Sequence, residues 1–235
     1  MAIAVEIAVQ DVDGARVARD GGAARVELCS ALGLGGLTPS IGLAEAVVGA
    51  GIDVHALVRP RAGGFAFTAT EVSVMVRDIE ALVDVGVRGV VVGALTADGR
   101  LDRHALKALV RAAEGREVTL HRCLDVLPDP AAALDEVAGL GIARVLTSGG
   151  AGRAIDGAAP LAALVERAAG RVQVMAGGGV RPEDVPALAA LGVDAVHLSA
   201  RASTDAAGAA GPGGGPAAYD ITDPALVAAA VAAAG

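Results

Sequence analysis

Eight times along this chain a short, continuously apolar run gives way to a segment with helical patterning. The strand-like runs begin near Ile3, Ala24, Asp53, Arg88, Glu117, Ala143, Arg171 and Val193. The helix-like segments follow at residues 11–21, 40–49, 70–86, 102–114, 129–139, 157–169, 181–191 and 223–234. Runs that are apolar throughout, rather than alternating, suit a parallel sheet covered on both faces. Gly21, Gly86, Gly141 and Gly192 stand where helices should stop, and Pro130 and Pro182 stand near first helical turns. Eight β-then-α units in 235 residues predict an α/β fold, a (β/α)8 TIM barrel forming one domain over residues 1–235. An open doubly wound sheet would need fewer strands and a Gly-x-Gly-x-x-Gly turn after the first strand, and none is there. Residues 201–220 break the pattern. This Ala/Gly/Pro-rich stretch after the eighth strand predicts a flexible loop, read either as a connector or as a lid.

Composition narrows the function classes. Hydrophobic residues make up 54% of the chain and aromatics 1%, so the core must be Val, Leu, Ile and Ala. The net charge of -8 argues against nucleic acid and against a basic membrane-binding face. No apolar stretch approaches the roughly 20 residues that span a bilayer. The start of the chain lacks the basic region of a signal peptide, so a cytoplasmic location is expected. Two cysteines give no disulfide framework and no paired metal signature.

The polar residues inside the apolar runs share a side-chain parity. Glu27 and Cys29 close ARVELC, His55 and Arg59 lie in DVHALVRP, His121 ends EVTLH, Thr147 ends ARVLT, and His197 and Ser199 end DAVHLS. Residues two or four apart on a strand share a face. A polar group in an apolar run is costly without partners, so that face should border a site. Barrel sites form at the carboxyl ends of strands. Read in order, those ends carry Glu6; Glu27 and Cys29; Arg59 and Arg61; His121, Arg122 and Asp125; Thr147 and Ser148; His197 and Ser199. His121 and then His197 are the leading acid–base candidates. Arg59 and Arg61 suggest grips for an anion, although Arg59 could instead neutralise Glu27. His55 reads as a core residue below the mouth, and His104 as a surface residue. The turn Gly177-Gly178-Gly179 before Pro182 is placed where many barrels hold phosphate, and Thr147-Ser148-Gly149-Gly150 forms a second Gly-rich turn. Cys29 is a candidate metal ligand. Cys123, three strands away, lies on the order of 14 Å off, too far to share an ion or a disulfide with it.

At these residues the chain resembles the CutC copper homeostasis family. The stretches that carry the likeness are ARVELCSALGLGGLTPS (24–40), VHALVRPRAGGF (54–65), VGALTADGRLD (92–102), VTLHRCLDV (118–126), IARVLTSGG (142–150), VMAGGGV (174–180) and VHLSAR (196–201). The resemblance implies a (β/α)8 barrel, a cytoplasmic homodimer and a link to copper. The family's cleft residues carry over to Glu27, Arg59, Arg61, His121 and Asp125. Two departures matter. Ala8 stands where some members have a cysteine that could share copper(I) with Cys29, and Cys123 stands at a position that is usually alanine. The Met and Arg-Asn pair common in the family's tail are replaced here by the Ala/Gly/Pro run.

Two function classes follow. One is copper(I) binding through Cys29, with help from His or Met175. The other is an enzyme acting on a small phosphorylated or carboxylated metabolite. There Glu27, His121, Asp125 and His197 would do acid–base work, while Arg59, Arg61, Thr147, Ser148, Gly177, Gly178, Gly179 and Ser199 would hold the substrate. Neither class calls for an organic cofactor. A scaffold with a vestigial cleft is a third, non-enzymatic reading. Phe65 and Phe67 could serve a lid, a dimer contact or a barrel cap.

Overall fold

The structure, a computed structural model, describes residues 3–204, 212 and 218–235. Strands β1 (Ala4–Val9), β2 (Arg25–Leu28), β3 (Val54–Leu57), β4 (Gly89–Val92), β5 (Glu117–Leu120), β6 (Arg144–Thr147), β7 (Gln173–Gly177) and β8 (Ala195–Leu198) form one closed parallel barrel in sequence order. The helices are α1 (Val12–Asp20), α2 (Ile41–Val48), α3 (Ala69–Asp84), α4 (Arg103–Ala112), α5 (Pro130–Gly139), α6 (Ala158–Ala168), α7 (Val185–Ala190) and α8 (Pro224–Ala234). The predicted (β/α)8 barrel is the fold observed. Closure is made by β1 against β8, with Glu6 paired to His197 on one side and to Arg25 on the other.

Helix starts follow from side-chain caps. Asp11, Ser40, Asp102, Asp129 and Asp223 each accept from backbone N–H groups of the first turn, and Thr68 with Glu71 forms a capping box on α3. The seventh helix is shorter than the pattern suggests. A 3-10 turn, Pro182–Asp184, precedes α7, which runs only from Val185 to Ala190.

The stretch at 201–220 also departs from expectation at its ends. Arg201–Ser203 (β9) and Asp220–Thr222 (β10) pair antiparallel beside the barrel mouth, and Gln10 donates to the Asp220 carbonyl. Most of the expected loop between them lies outside the described residues.

Two different cores result from strand parity. One face of the strands packs against the helices through Val5, Ile7, Val26, Val54, Val90, Val145, Val174 and Val196, all buried. The other face points into the barrel, where two small apolar clusters occur among the described residues: Cys29, Leu57 and Val91, and Leu146, Met175 and Ala195. Apart from small or neutral positions such as Ala8 and Thr119, the rest of the described interior is largely charged. Glu117 receives Arg144 at 3.3 Å, Arg25 at 3.5 Å and His55 at 3.3 Å. Arg25 then reaches Glu6 at 2.5 Å and the Met175 sulfur at 3.4 Å. His55 is the core residue the sequence suggests, and burial, with the Arg25 charge, lowers its pKa to about 4.

His55 fits because its register partner is Gly89. A Cβ there would lie 2.5 Å from the imidazole and 2.7 Å from the Glu117 carbonyl oxygen. Gly89→Ala should therefore lower the melting temperature by about 5–10 °C, as overpacking of a rigid core does. An unchanged melting curve would show that the barrel floor can absorb a methyl group.

Candidate functional site

A cleft of about 320 Å³ opens at the carboxyl end of the barrel, lined by Glu27, Arg59, Phe65, His121, Arg122, Gly178, Gly179, Val180, His197, Ser199 and Arg201, with Leu32, Leu57 and Leu146 as apolar walls. Glu27 and His197 come from β2 and β8, while Arg59 and His121 follow β3 and β5 at the inward parity.

Glu6 anchors the lower wall. One oxygen accepts from Arg25 and the other lies 2.7 Å from His197 Nδ1. Burial alone would raise its pKa, but the His197 hydrogen bond and the charges of His197, Arg25 and His55 win, giving about 2. Glu27 is the opposite case. It is buried, its Oε2 has no hydrogen-bond partner among the described residues, and His197 Nδ1 lies 3.8 Å away. Burial and the Glu6 charge push its pKa up to about 7, against the pull of His197 and Arg25. Burial disfavours the charged form of His197, but the two carboxylates outweigh it and raise its pKa.

His121 is held by its own loop. The Cys123 backbone N–H donates to His121 Nδ1 at 3.1 Å, which places the neutral ring's proton on Nε2. That Nε2 is buried with no partner among the described residues. Burial and the Arg59 charge lower the pKa to about 4, so His121 is a neutral donor at pH 7 and not a proton-loaded general acid. Phe65 packs against the imidazole at 4.7 Å between ring centroids, and the Arg59 guanidinium lies 5.3 Å from the Phe65 centroid. Phe65 is thus a cleft wall. Gly93 makes room for His121: a Cβ there would come within 2.2 Å of the ring.

Arg59 does not pair with Glu27. Its terminal nitrogens donate to the carbonyls of Leu34, Gly36 and Gly63, and its buried Nε has no partner among the described residues. Arg61 is not at the cleft. It is drawn away by Glu71, at 2.5 Å, by the Gly64 and Ala66 carbonyls, and by the Phe67 ring, 5.0 Å from its guanidinium.

Asp125, Thr147 and Ser148 form a knot behind the mouth and do not line it. Asp125 accepts from Thr147 Oγ1 at 2.5 Å, Ser148 Oγ at 3.0 Å, the Ser148 and Gly150 N–H groups, and Arg122 Nε at 2.8 Å. A carboxylate so fully committed fixes the loop after β6 and holds Arg122 in place. Gly177 also stays behind the wall, because a Cβ there would strike Leu146 and His197. Gly178 and Gly179 do line the cleft, both at positive φ, with Arg122 against Gly178. Any helix dipole behind them is weak, since α7 is six residues long and starts after a 3-10 turn.

Cys29 is fully buried, and burial with the Glu27 charge pushes its thiol up to about 12. Cys123 is equally buried and is also pushed up, chiefly by burial. Among the described residues the one group with metal-ligand spacing is Glu6, Glu27 and His197, whose ligand atoms lie within 4.8 Å of one another. Arg25 is not among the expected site residues, although it shares the inward parity of Glu27 in ARVELC.

The model of the CutC family matches residues 3–202. The chain belongs to the CutC family. It is 50% identical to a CutC family protein of Agrobacterium fabrum over 184 residues, 78% of this chain and 73% of that one. It is 46% identical to a Rhizobium meliloti CutC family protein over 198 residues, 84% of this chain and 81% of the relative. A solved CutC structure from Streptococcus agalactiae, named for copper homeostasis, superposes with a TM-score of 0.79 at 31% identity, covering 84% of this chain and 98% of that one.

The pKa of Glu27 in this CutC chain has a measurable consequence. A carboxyl raised from 4.5 to about 7 by folding stabilises the native state at low pH and loses that contribution as pH rises toward and through 7. Glu27→Gln removes the dependence. The melting temperature of the variant relative to wild type should rise by about 5 °C between pH 4.5 and pH 8. A constant difference across that range would mean that Glu27 is not protonated near neutrality.

Proposed function

We propose that this CutC chain is a cytoplasmic barrel enzyme that binds a small phosphorylated or carboxylated metabolite at the barrel mouth and moves a proton on it. The observation that carries the reading is Glu27: a buried carboxyl pushed up to about 7, facing a concave cleft that Arg59, Arg122 and Arg201 also line. Such tuning suits an acid–base group, because it can both take and return a proton near pH 7. His197 beside it favours the charged pair when Glu27 ionises. Arg122, Arg201 and the Gly178–Gly179 backbone supply the anion-friendly side, with Ser199 at its edge. Asp125, Thr147 and Ser148 act by holding Arg122. Homodimerisation, implied by the family, belongs to the same reading. No helix among the described residues is long and apolar enough to cross a membrane.

Copper homeostasis, the role named for the Streptococcus agalactiae relative, is the second reading. The donors present do not fit copper(I), which prefers thiolate and thioether ligands. Both thiols are sealed and held protonated, and Met175 already faces Arg25. The Glu6, Glu27 and His197 set is mostly carboxylate, and Glu6 is engaged by Arg25 and His197. A copper role would therefore not run through Cys29. Titration of copper(I) against a competing chelator should give the same affinity for wild type and Cys29→Ala. A tenfold loss in the variant would restore the thiol as a ligand.

The enzyme reading is tested by thermal shift with inorganic phosphate, 2-phosphoglycolate and malonate. At least one should raise the melting temperature of the wild type in a saturable way, as ligands of the native state do. No shift from any of them at about 100-fold the usual millimolar affinity of such fragments would remove the anion site.

A further inference from the structure

Three buried polar atoms line or border the same cleft with nothing to bond to among the described residues: Glu27 Oε2, His121 Nε2 and Arg59 Nε. Buried polar atoms are almost always paired, so three orphans around one cavity mark the groups a ligand would complete. Their chemistry differs by side. Glu27, on β2, offers an oxygen that accepts. His121 and Arg59 offer N–H donors, and they share the Phe65 ring as a neighbour. The donor role of His121 is fixed by geometry, since the Cys123 N–H occupies Nδ1 and leaves the proton on Nε2. Arg59 cannot swing away either, because the carbonyls of Leu34, Gly36 and Gly63 hold its terminal nitrogens.

We infer that the cleft takes a small phosphorylated or carboxylated carbonyl compound, with the carbonyl oxygen between His121 Nε2–H and Arg59 Nε–H and the adjacent C–H bond against Glu27. The inference rests on the enzyme reading above and names its substrate class and reaction. Glu27 carboxylate removes the proton from the carbon next to the carbonyl. The C–H electron pair becomes the carbon–carbon double bond of an enolate, and the carbonyl π pair moves onto oxygen as the negative charge. The two N–H donors hold that charge, as donors aimed at a developing oxyanion do. Glu27, now a carboxylic acid, returns the proton to the same carbon. When that carbon carries a hydroxyl, the hydroxyl proton can move to the former carbonyl oxygen, its O–H pair becoming the new carbonyl, while Glu27 delivers its proton to the former carbonyl carbon; the product is then an isomer. Every atom and electron is accounted for without an oxidant or cofactor. Arg25 and His197 keep Glu6 ionised below, so Glu27 is the carboxyl left to cycle.

The test is exchange of carbon-bound hydrogen with solvent, followed by proton NMR in deuterium oxide, with hydroxyacetone phosphate, glycolaldehyde phosphate and pyruvate as probes. Wild type should accelerate exchange of at least one probe above the buffer rate. Glu27→Gln should lower that rate by roughly 10²–10⁴-fold, and His121→Phe by roughly 10²–10³-fold. His121→Gln, which keeps an N–H donor, should recover part of the loss, an outcome that a purely structural His121 would not give. Circular dichroism confirms that each variant is folded. Binding of 2-phosphoglycolate, read by thermal shift, separates the two readings. If it binds and no probe exchanges, the carbonyl chemistry is overturned and the anion cleft stands. If exchange occurs but survives Glu27→Gln undiminished, the assignment of the base is overturned. If neither binding nor exchange is seen, both readings fall.

Discussion

The Glu6 carboxylate is the contact on which the barrel and its mouth jointly depend. It sits where β1 meets β2 on one side and β8 on the other, gripped by Arg25 and by His197. A buried carboxylate without partners would be severely destabilising, but two cationic partners keep it ionised. Arg25 passes the pairing downward to Glu117 and through it to Arg144. His197 passes it upward toward Glu27. A barrel interior ordinarily filled with branched apolar side chains is here threaded by a chain of charges.

That chain explains why two carboxylates a few ångströms apart behave so differently. Glu6 holds both cations at hydrogen-bond distance, so at Glu27 burial and a like-charged neighbour outweigh the more distant pull of His197 and Arg25. Both effects favour its protonated form. The raised pKa of Glu27 at the mouth is therefore set by the floor. His121 is tuned in the opposite direction by separate means: burial first, then the charge of the nearby Arg59 guanidinium.

The fold was legible because its signal is local and repeated. Continuous apolar strands recur eight times, with side-chain caps at six of the helix starts and the stop glycines Gly21, Gly86, Gly141 and Gly192 after four of the helices, and the observed boundaries differ mainly at α7, which a 3-10 turn opening on Pro182 precedes. The inward parity of Glu27, His121 and His197 was legible for the same reason. What could not be read was where each polar side chain spends its hydrogen bonds. Arg61 and Asp125 look like site residues by position, yet Glu71 and the loop after β6 claim them. Those partners are brought in by tertiary structure, 10 and 22 or more residues away. Gly89 and Gly93 were likewise unmarked, because their importance lies in the ring that fills the space beside them.

The seam between β1 and β8 carries one more implication. Its central inward pair, Glu6 with His197, joins the first strand to the last, and His197 also lines the cleft. Shape retention and the proposed chemistry thus both depend on this pair, His197 directly and Glu6 through it. A lineage without the proposed reaction would still be selected to keep both residues simply to keep its cylinder shut. Their persistence in distant descendants would then testify to architecture, and the fate of Glu27, His121 and Phe65 would be the better record of whether the chemistry survived.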